Sequence, residues 1–567
     1  MSPTPRPLII FGLVLLALGV RFLTWQDNRR DIGKVQTSVT EGYKDSARQL
    51  ANGDFKLFAS DINHMGHPPG YPILLAAIFK TVGESDTAIQ FVQILLDTVS
   101  VVLVFLIALK LLPFAAATIC GVLAAISPQF AYFSVVLLPD SLVVPPILLA
   151  IWFLIPIRKE PRLARFAIAG ALIGLSCWFR ANALFLPVFL ALLTPLFVAR
   201  GKRLPAAAAL IAGALLMIAP VTIKNAIVFR SFIPLSLGAG QTFLEGIADY
   251  DEANRFNIPN TDLGLMRQEA EWYGNPEYAR LLFGRDGVSR DRMRIERGLA
   301  VVGSHPFWFA GVVAKRGLAS TRLDPVPVLH PESPISHPVP SFSATEQLFP
   351  LETQPDKYAV LHISEPMAVK TATDYAACLP VKLEQGRLQI KITDERTILA
   401  STNVDLVEGV PPAEQPVHNL NIPFVSANHS QVRLVIENFA ARDSSALVGT
   451  SRLIELGPSS YQWLRHIRVP LGYAQQLFKT AWILPLTLVG LFIMVRKRDW
   501  QSLAILLAVP AYYLVVQSTL HTERRYVYII HFFFLIFASD ALCKIATRVF
   551  LVLSSSFSLF GQRQPKG

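Results

Sequence analysis

The sequence predicts a polytopic α-helical membrane protein with about ten spans, surface helices in its first outer loop, and one extracytoplasmic β-sandwich-like domain. Of the 567 residues, 52% are hydrophobic and 16% are charged, whereas about a quarter of the residues of a soluble protein are charged. The mean hydropathy is +0.42. Several apolar runs approach the roughly 20 residues that cross a bilayer. A long polar region separates two groups of these runs.

The apolar runs predict the spans in order. A short basic segment precedes an apolar run from Leu8 to about Trp25, which has no small-residue cleavage site after it. We therefore expect an uncleaved first span rather than a removed signal peptide. The further spans are predicted near 87–109, 113–136, 140–157, 166–180, 183–198, 205–228, 481–495, 502–517 and 526–547.

Charges in the loops predict the orientation. Basic residues collect in three loops that ten spans place on one side: Arg158, Lys159, Arg162 and Arg165; Arg200, Lys202 and Arg203; and Arg496, Lys497 and Arg498. The positive-inside rule makes that side cytoplasmic, so the first loop, 26–70, lies outside. The apolar run 72–82 is too short to cross and is predicted to be an interfacial helix, as is Pro306–Val313.

The chain divides by composition into three parts. Residues 1–320 form a first transmembrane module, and residues 471–567 contain the last spans and a cytoplasmic tail. Between them, residues 321–470 begin with a Pro-rich linker from Asp324 to Pro350 and continue with short alternating runs such as Leu388–Ile392. This pattern is typical of a small β-sandwich, which lies outside and could also be a plain spacer.

Composition excludes several functions. The formal charge of +11 fits cytoplasmic loops better than nucleic-acid binding, since interleaved aromatic and basic patches are missing. The four cysteines form no disulfide framework, and no Cys/His spacing indicates structural zinc. There is no Walker A, GxGxxG or GxSxG motif, so no nucleotide or other cofactor is predicted with certainty.

Polar residues collect at the outer ends of the predicted spans. Asp140 begins the fourth span directly after Pro139, and Arg180 lies between the fifth and sixth. Asp140 could cap its helix, act in chemistry, or do both. Further basic and acidic side chains border the same face: Lys224, Arg230, Glu523, Arg524 and Arg525.

These residue types suit the transfer of a group from a lipid-linked phosphate. Arginine forms forked, charge-assisted hydrogen bonds with phosphate oxygens, and outside arginines run against the positive-inside bias. A carboxylate such as Asp140 could be the general base for an acceptor hydroxyl or amine. Arg180, Arg230, Arg524 and Arg525 could bind the phosphate and stabilise it as it leaves.

Motifs in the first outer loop resemble those of a known superfamily. Tyr43 to Leu50 reads YKDSARQL, and His67 to Pro72 reads HPPGYP. With the later segments His305-Pro306 and Glu523 to Tyr526, their order resembles the GT-C glycosyltransferases that use polyprenyl-phosphate sugars. These include protein O-mannosyltransferases, the lipid A aminoarabinose transferase and the RgtA/B/C/D-like proteins. The similarity covers roughly 7–320 and 470–545.

The resemblance implies a donor, an acceptor and site residues. The donor would be a polyprenyl-phosphate-linked sugar, and the acceptor an envelope lipid, glycan or protein. The family commonly has an Asp four residues before the first-loop tyrosine, Tyr43, where this chain has Val39. Glu41 and Asp45 are the nearest carboxylates and the candidate bases, with Asp61 a third. 

Some relatives also place a metal near the Pro-Pro corner. His64 and His67, with a nearby carboxylate, could therefore hold a divalent metal ion.

The leading hypothesis is an integral-membrane glycosyltransferase whose active face is periplasmic or extracellular, in a bacterial inner membrane. One alternative is a transporter or flippase of a lipid-linked substrate; against it, the ionisable residues lie at span ends rather than at the midplane. The other is a non-catalytic envelope scaffold. Besides donor and acceptor, we expect membrane lipids and no nucleic acid as partners.

Overall fold

The structure is a computed structural model that describes residues 6–28, 35–37, 39–155, 162–284, 286–323, 326–329, 337, 348–351, 359–394, 397–407, 411, 414–439, 444–459 and 464–561. Arg158 and Lys159 of the predicted cytoplasmic loop, and most of the Pro-rich linker, lie outside these residues. The chain forms two compact units: Met1–Val328 together with Gln475–Gly567, and Leu329–Ala474. The three-part division predicted from sequence stays a prediction.

Helices dominate the first unit. The longer ones are Arg6–Asn28, Thr40–Ala51, Gly70–Val82, Asp86–Leu111, Phe114–Ile126, Val144–Leu154, Leu163–Cys177, Leu186–Phe197, Arg203–Val228, Ala239–Ala248, Asp262–Tyr273, Gly287–Ser304, Pro306–Ser320, Thr480–Arg496, Trp500–Val516 and Ile529–Gly561. A further helix, Arg465–Gln476, lies mostly in the second unit. Shorter turns of helix include Phe55–Ser60, Asn63–Gly66, Pro128–Phe133, Pro139–Val143, Ala181–Ala183, Arg200–Lys202, Pro276–Ala279, Gln517–Thr519 and Arg524–Val527.

The predicted helical membrane fold is confirmed, and each predicted span falls on a helix. Among the described residues, five helices are long and apolar enough to cross a membrane: Arg6–Asn28, Asp86–Leu111, Arg200–Val228, Trp500–Thr519 and Ile529–Leu551. Other predicted spans fall on shorter apolar helices such as Leu163–Cys177. The count of ten therefore stays a prediction.

Small residues let neighbouring helices approach closely. A Cβ atom added at Gly170 would lie 1.9 Å from the carbonyl oxygen of Leu210, and one at Gly213 would lie 2.0 Å from that of Ala167. The helices Leu163–Cys177 and Arg203–Val228 thus touch backbone to backbone, which is typical of membrane helices that pack without a hydrophobic driving force. This contact holds the middle of the helix Leu163–Cys177, which Arg180 follows in the chain.

The predicted surface helices of the first outer loop are also present. Thr40–Ala51 and Gly70–Val82 are both helical, and they pack through a cluster that includes Tyr43, Ala47, Tyr71 and Leu75. Because the apolar side chains of both helices share this cluster, the loop is an ordered layer rather than an extended tether.

The second unit is a β-sandwich, as predicted. Its strands are β1 (Phe349–Pro350), β2 (Val360–Ile363), β3 (Met367–Ala368), β4 (Thr373–Gln385), β5 (Arg387–Thr393), β6 (Ile398–Asp405), β7 (His418–Val425), β8 (Gln431–Asn438), β9 (Ser445–Val448) and β10 (Arg452–Pro458).

These strands form two five-stranded antiparallel sheets. One has the order β1-β9-β4-β10 with β7 also paired to β4, and the other has the order β2-β8-β5-β6 with β3 also paired to β8. In β5 the buried side chains alternate, Leu388, Ile390 and Ile392, and they meet β4 side chains such as Leu379 in one core. This alternation is the period of two that predicted the strands.

Candidate functional site

Asp140 lies in the 3-10 turn Pro139–Val143 that leads into the helix Val144–Leu154. Its side chain is 3% exposed, and its Oδ1 accepts a hydrogen bond from Nη1 of Arg180 at 2.7 Å. Its Oδ2 is buried and has no hydrogen-bond partner among the described residues. The hydroxyl of Tyr528 donates to the backbone carbonyl of Asp140 at 3.0 Å. One carboxylate oxygen of Asp140 is therefore bound to Arg180, and the other has no hydrogen-bond partner among the described residues.

Arg180 is held in place through the backbone just before it. The amide of Gly70 donates to the carbonyl oxygen of Trp178 at 2.8 Å, and a Cβ atom at Gly70 would lie 2.6 Å from that oxygen. Only glycine fits this approach. The His-Pro-Pro-Gly corner is thus fastened to the segment that carries Arg180, and this explains the glycine of the motif.

The last outer turn completes the cluster. The Arg180 guanidinium lies 4.1 Å from the centre of the Tyr526 ring, a cation–π contact. The Tyr526 hydroxyl donates to Glu523 at 2.9 Å, and Nη2 of Arg525 donates to the same Glu523 oxygen at 2.5 Å. Asp140, Arg180, Arg525 and Tyr526 line one cleft of about 10 Å³, which is about the volume of one water.

Tyr43 and His67 pack beside this cleft. The Tyr43 hydroxyl lies 3.4 Å from Nδ1 of His67, and its ring meets the edge of Tyr71 at 5.1 Å. The Tyr71 hydroxyl in turn donates to Gln93 at 2.8 Å. Burial raises the pKa of Tyr43 to about 12. Burial, with the nearby Arg180 charge, lowers the pKa of His67 to about 4, so both side chains are neutral near pH 7.

The candidate first-loop bases lie elsewhere. Glu41 and Asp45 are 57% and 60% exposed, and both pair with Arg48 on the helix Thr40–Ala51. Two residues before and two after Tyr43 on a helix, they point to the face opposite its ring. The third option, Asp61, accepts hydrogen bonds from Ser46 and Gln49 inside the loop.

The other predicted residues are also separate from the cleft. Arg230 is exposed after the helix Arg203–Val228, with a left-handed φ of 50°, and Arg524 is exposed in the last outer turn. His64 is buried with its ring edge 4.1 Å from Phe58. Burial, with the nearby Lys224 charge, lowers the pKa of His64 to about 4.

These contacts also bear on the predicted metal site. His64 packs on an aromatic ring, and His67 faces Tyr43. Among the residues that the structure describes, no group of three or more His, Cys, Asp or Glu side chains could hold a metal ion. The residues present do not fit the implied metal, and no step of the chemistry below uses one.

Sequence reasoning missed the roles of several aromatic residues. Tyr526 belongs to the last outer turn and Tyr528 to the span after it, and no local pattern gave a reason to assign them contacts with Arg180 or Asp140. Tyr71 lies inside the quoted motif His67–Pro72 and Gln93 inside the predicted span 87–109, yet only the fold shows that they support Tyr43. A hydroxyl within an apolar run was the available signal, because buried tyrosine hydroxyls usually find partners.

Comparison with known proteins supports the resemblance. Residues 66–223 match the family model described as dolichyl-phosphate-mannose-protein mannosyltransferase. No curated protein sequence matches the chain. The matched segment contains the Pro-Pro corner, Asp140 and Arg180.

Two solved structures are similar over nearly all of this chain. Archaeal oligosaccharyltransferase AglB from Archaeoglobus fulgidus, in complex with an inhibitory peptide and a dolichol-phosphate, has a TM-score of 0.44 and 12% identity, and the match covers 100% of this chain and 53% of that chain. The apo form of the Archaeoglobus fulgidus oligosaccharyltransferase has a TM-score of 0.42 and 11% identity, with 98% and 52% covered. The chain thus spans about half the length of these structures.

The family match and the succession of apolar helices agree with the motifs of the first outer loop. Residues 66–223 match a family model of the protein mannosyltransferase type, and the described residues include several helices long and apolar enough to cross a membrane.

Proposed function

We propose that this protein transfers a sugar from a polyprenyl-phosphate donor to an envelope lipid, polysaccharide or protein acceptor on the non-cytoplasmic face of the membrane. The observation that carries the proposal is the cleft in which the Asp140–Arg180 pair meets Arg525 and Tyr526. It brings a buried carboxylate and two guanidinium groups together at the outer ends of helices. A base and a phosphate-binding pair are what such a transfer needs.

The reaction balances with these groups. The acceptor hydroxyl or amine attacks the anomeric carbon of the donor sugar, and its proton passes to Oδ2 of Asp140, the oxygen without a protein partner. The new bond joins the acceptor to the anomeric carbon. The bond from that carbon to the phosphate oxygen breaks, and its electron pair leaves with polyprenyl phosphate. Arg180 and Arg525 stabilise this leaving group as its negative charge grows.

Donor binding must rearrange the cleft, because about 10 Å³ does not accommodate a phosphate. The long side chains of Arg180 and Arg525, 19% and 17% exposed, are the groups able to turn towards it. A phosphate that takes over Arg180 also removes the ion-pair partner of Asp140. Donor binding would then free the carboxylate to accept the proton.

We assign the base to Asp140 rather than to Glu41 or Asp45. The two first-loop carboxylates are exposed and pair with Arg48, whereas Asp140 is buried beside the arginines. Tyr43 and His67, both neutral, are proposed to hydrogen-bond the sugar or phosphate. Arg230 and Arg524 are exposed, and we assign them long-range attraction of the phosphate rather than a direct contact.

The donor and acceptor classes rest on the family match. The matched family is described by its use of dolichyl-phosphate-mannose, and AglB was solved with a dolichol-phosphate and a peptide. We extend to this chain only a polyprenyl-phosphate sugar and an acceptor. In this proposal residues 1–320 form the catalytic module, and the unit near 321–470 contributes outside the membrane.

Transfer of label tests the function directly. Membranes from cells that express the protein are incubated with radiolabelled polyprenyl-phosphate mannose, glucose or aminoarabinose, and products are separated from the lipid donor. We expect label in a new product with the wild-type chain and none with Asp140→Asn. Movement of intact donor across the bilayer without a new product would support a flippase instead.

Sidedness is tested separately with single cysteine reporters in intact cells of a bacterial host. Gly53→Cys and Ser401→Cys should react with an impermeant maleimide, whereas Gln501→Cys should react only after permeabilisation. Labelling of Gln501→Cys in intact cells would overturn the periplasmic assignment of the site.

A further inference from the structure

A second cavity of about 590 Å³ opens in the first unit, apart from the cleft at Asp140. Its size lies within the usual range of ligand pockets. We propose that it binds a neutral carbohydrate segment of the acceptor. This inference rests on the proposed function and adds to it a substrate class. The residues that carry the argument are Ile62, Asn275, Glu277, Tyr278, Leu281 and Arg290.

The wall of this cavity is held rigidly. Arg290 is 1% exposed, and its guanidinium pairs with Glu269 at 3.1 Å and donates to the Leu281 carbonyl at 3.1 Å. The same guanidinium lies 4.1 Å from the centre of the Tyr278 ring, and the Tyr278 hydroxyl donates to Asp286 at 2.5 Å. The loop between Pro276 and Gly284 is therefore preorganised, which lowers the ordering cost of binding.

The chemistry of the lining favours hydroxyl groups. Asn275 uses its side-chain oxygen to accept from the backbone of Glu277 at 3.1 Å, and its side chain also hydrogen-bonds Tyr278, so it fixes the polar wall of the cavity. The exposed Glu277 carboxylate is an acceptor, and Leu281 and Ile62 add apolar surface. Planar polar groups beside apolar patches match a sugar ring, whose hydroxyl rim is polar and whose C–H faces are not.

Other ligand classes fit less well. A lipid tail would cover the exposed Glu277 carboxylate without offering it a hydrogen bond, which costs free energy. A phosphate would meet Glu277 and Asp286, while the guanidinium of Arg290 is already paired with Glu269 and Asp286. A neutral polyol meets donors and acceptors without a charge penalty.

The cavity lies beside the corner that leads to the proposed active site. Phe283, in the same loop, packs on Gly66, where an added Cβ atom would lie 3.0 Å from its ring. Arg294 fixes this loop by donating to the Leu282 carbonyl at 3.1 Å. Ile62 and His67 belong to one short segment of the first outer loop. A glycan bound here is therefore near the side chains that we assign to the sugar or phosphate.

Calorimetry on the full chain in detergent tests the site, with neutral trisaccharides of mannose, glucose and N-acetylglucosamine as probes. Leu281→Trp fills the cavity without removing a member of the hydrogen-bond network, because Leu281 is 43% exposed and contributes only its carbonyl. Leu299→Trp, exposed on the helix Gly287–Ser304, is the matched control. Glu277→Ala is a second variant at an exposed residue.

We expect at least one trisaccharide to bind the wild type and Leu299→Trp with equal affinity. The same sugar should bind Leu281→Trp at least tenfold more weakly, and it should also bind Glu277→Ala more weakly than the wild type. The inference is overturned if no trisaccharide binds, or if both cavity variants bind like the wild type. It is also overturned if an acetylated Ser/Thr pentapeptide binds in a Leu281→Trp-sensitive manner and the sugars do not.

Hydrolysis of the donor is measured on the same preparations: water replaces the acceptor as the nucleophile, free sugar forms and polyprenyl phosphate is released, so no glycan is needed. Donor turnover without sugar binding would reject this cavity and leave the proposed function intact. Sugar binding without any donor turnover would count against the proposed function and leave the cavity as a carbohydrate-binding site.

Discussion

Two Arg–Asp ion pairs in this molecule have almost the same length and very different surroundings. Arg21 and Asp97 lie 2.6 Å apart with both side chains fully buried, and Arg21 also donates to the carbonyls of Ala17 and Ala125. Arg180 and Asp140 lie 2.7 Å apart. Their pair borders a cleft, and Arg180 stacks on Tyr526.

We infer that a place beside a cleft, rather than the pairing itself, distinguishes an ion pair that could take part in chemistry from a structural one. Each carboxylate keeps one oxygen without a hydrogen-bond partner among the described residues. At Asp97 that oxygen is enclosed between helices, where a charge is tolerated only because its partner is fixed. The Asp140 oxygen is buried too, but Asp140 lines a cleft, and in our proposal Arg180 there exchanges the carboxylate for a phosphate.

The largest effect is expected at the carboxylate that lines the cleft. Asp140→Asn keeps the shape and a hydrogen bond to Arg180 but cannot accept the proton of the acceptor. Transfer should fall by roughly 10²- to 10⁴-fold, with thermal unfolding in detergent close to that of the wild type. The measurement is initial-rate transfer of labelled sugar, with Asp45→Asn as the matched control that retains activity. Full activity of Asp140→Asn would mean that the Asp140–Arg180 pair, like Arg21–Asp97, has only a structural role.

The enclosed pair should behave in the opposite way. Asp97→Ala leaves the Arg21 charge buried without its partner, which we expect to lower the free energy of unfolding by about 3–5 kcal/mol. The double substitution Arg21→Leu with Asp97→Leu should recover most of this loss, because it removes both charges. Thermal unfolding and the yield of folded protein in detergent are measured. A single variant as stable as the wild type would show that the pair is not a structural clamp.

Much of this architecture could be predicted from sequence because its signals are local. Apolar runs predicted the positions of the helices, and the apolar run 72–82, too short to cross, predicted the surface helix Gly70–Val82. Alternation in Leu388–Ile392 predicted a strand. Asp140 and Arg180 were recognised because polar residues at span ends stand out against their surroundings.

The rest depended on contacts between distant parts of the chain. No local pattern joins Arg21 to Asp97, which are 76 residues apart, or Arg180 to Tyr526. Glu41 and Asp45 are instructive in another way. Once Thr40–Ala51 is known to be a helix, its period of 3.6 residues places them opposite Tyr43. Their position could be predicted only once this segment was known to be a helix. The segment is polar, so its apolar periodicity was too weak to predict the helix from sequence.

A smaller effect is expected when the phosphate loses one arginine. Arg525→Ala removes a charge-assisted contact worth roughly 1.5–3 kcal/mol, so transfer efficiency should fall by roughly ten- to a hundredfold. Arg525→Lys should recover only part, because it keeps the charge and loses the fork. Arg230→Ala, at an exposed arginine, should lose less than Arg525→Ala. Equal activity of Arg525→Lys and the wild type at limiting donor would count against phosphate recognition in the cleft.

The smallest effect concerns the pH dependence of stability. It extends the comparison from the two ion pairs to two buried histidines, His64 and His67, that are neutral near pH 7. The pKa values of His64 and His67 are lowered to about 4, whereas an unfolded histidine titrates near 6.5. Between pH 6.5 and 4 the unfolded chain therefore binds protons that the folded chain does not, and stability falls as the pH falls. Each histidine contributes about 1.4 kcal/mol per pH unit in this window.

Unfolding midpoints of the detergent-solubilised protein, measured at half-unit steps from pH 7.5 to 4.5, test this expectation. His67→Gln should show a shallower decline than the wild type below pH 6.5, since one proton-binding difference is gone, whatever its stability at pH 7.5. Asp140→Asn retains both histidines and should follow the slope of the wild type. An unchanged slope in His67→Gln would mean that this histidine takes up its proton in the folded chain as readily as in the unfolded chain, and a lowered pKa for His67 would be contradicted.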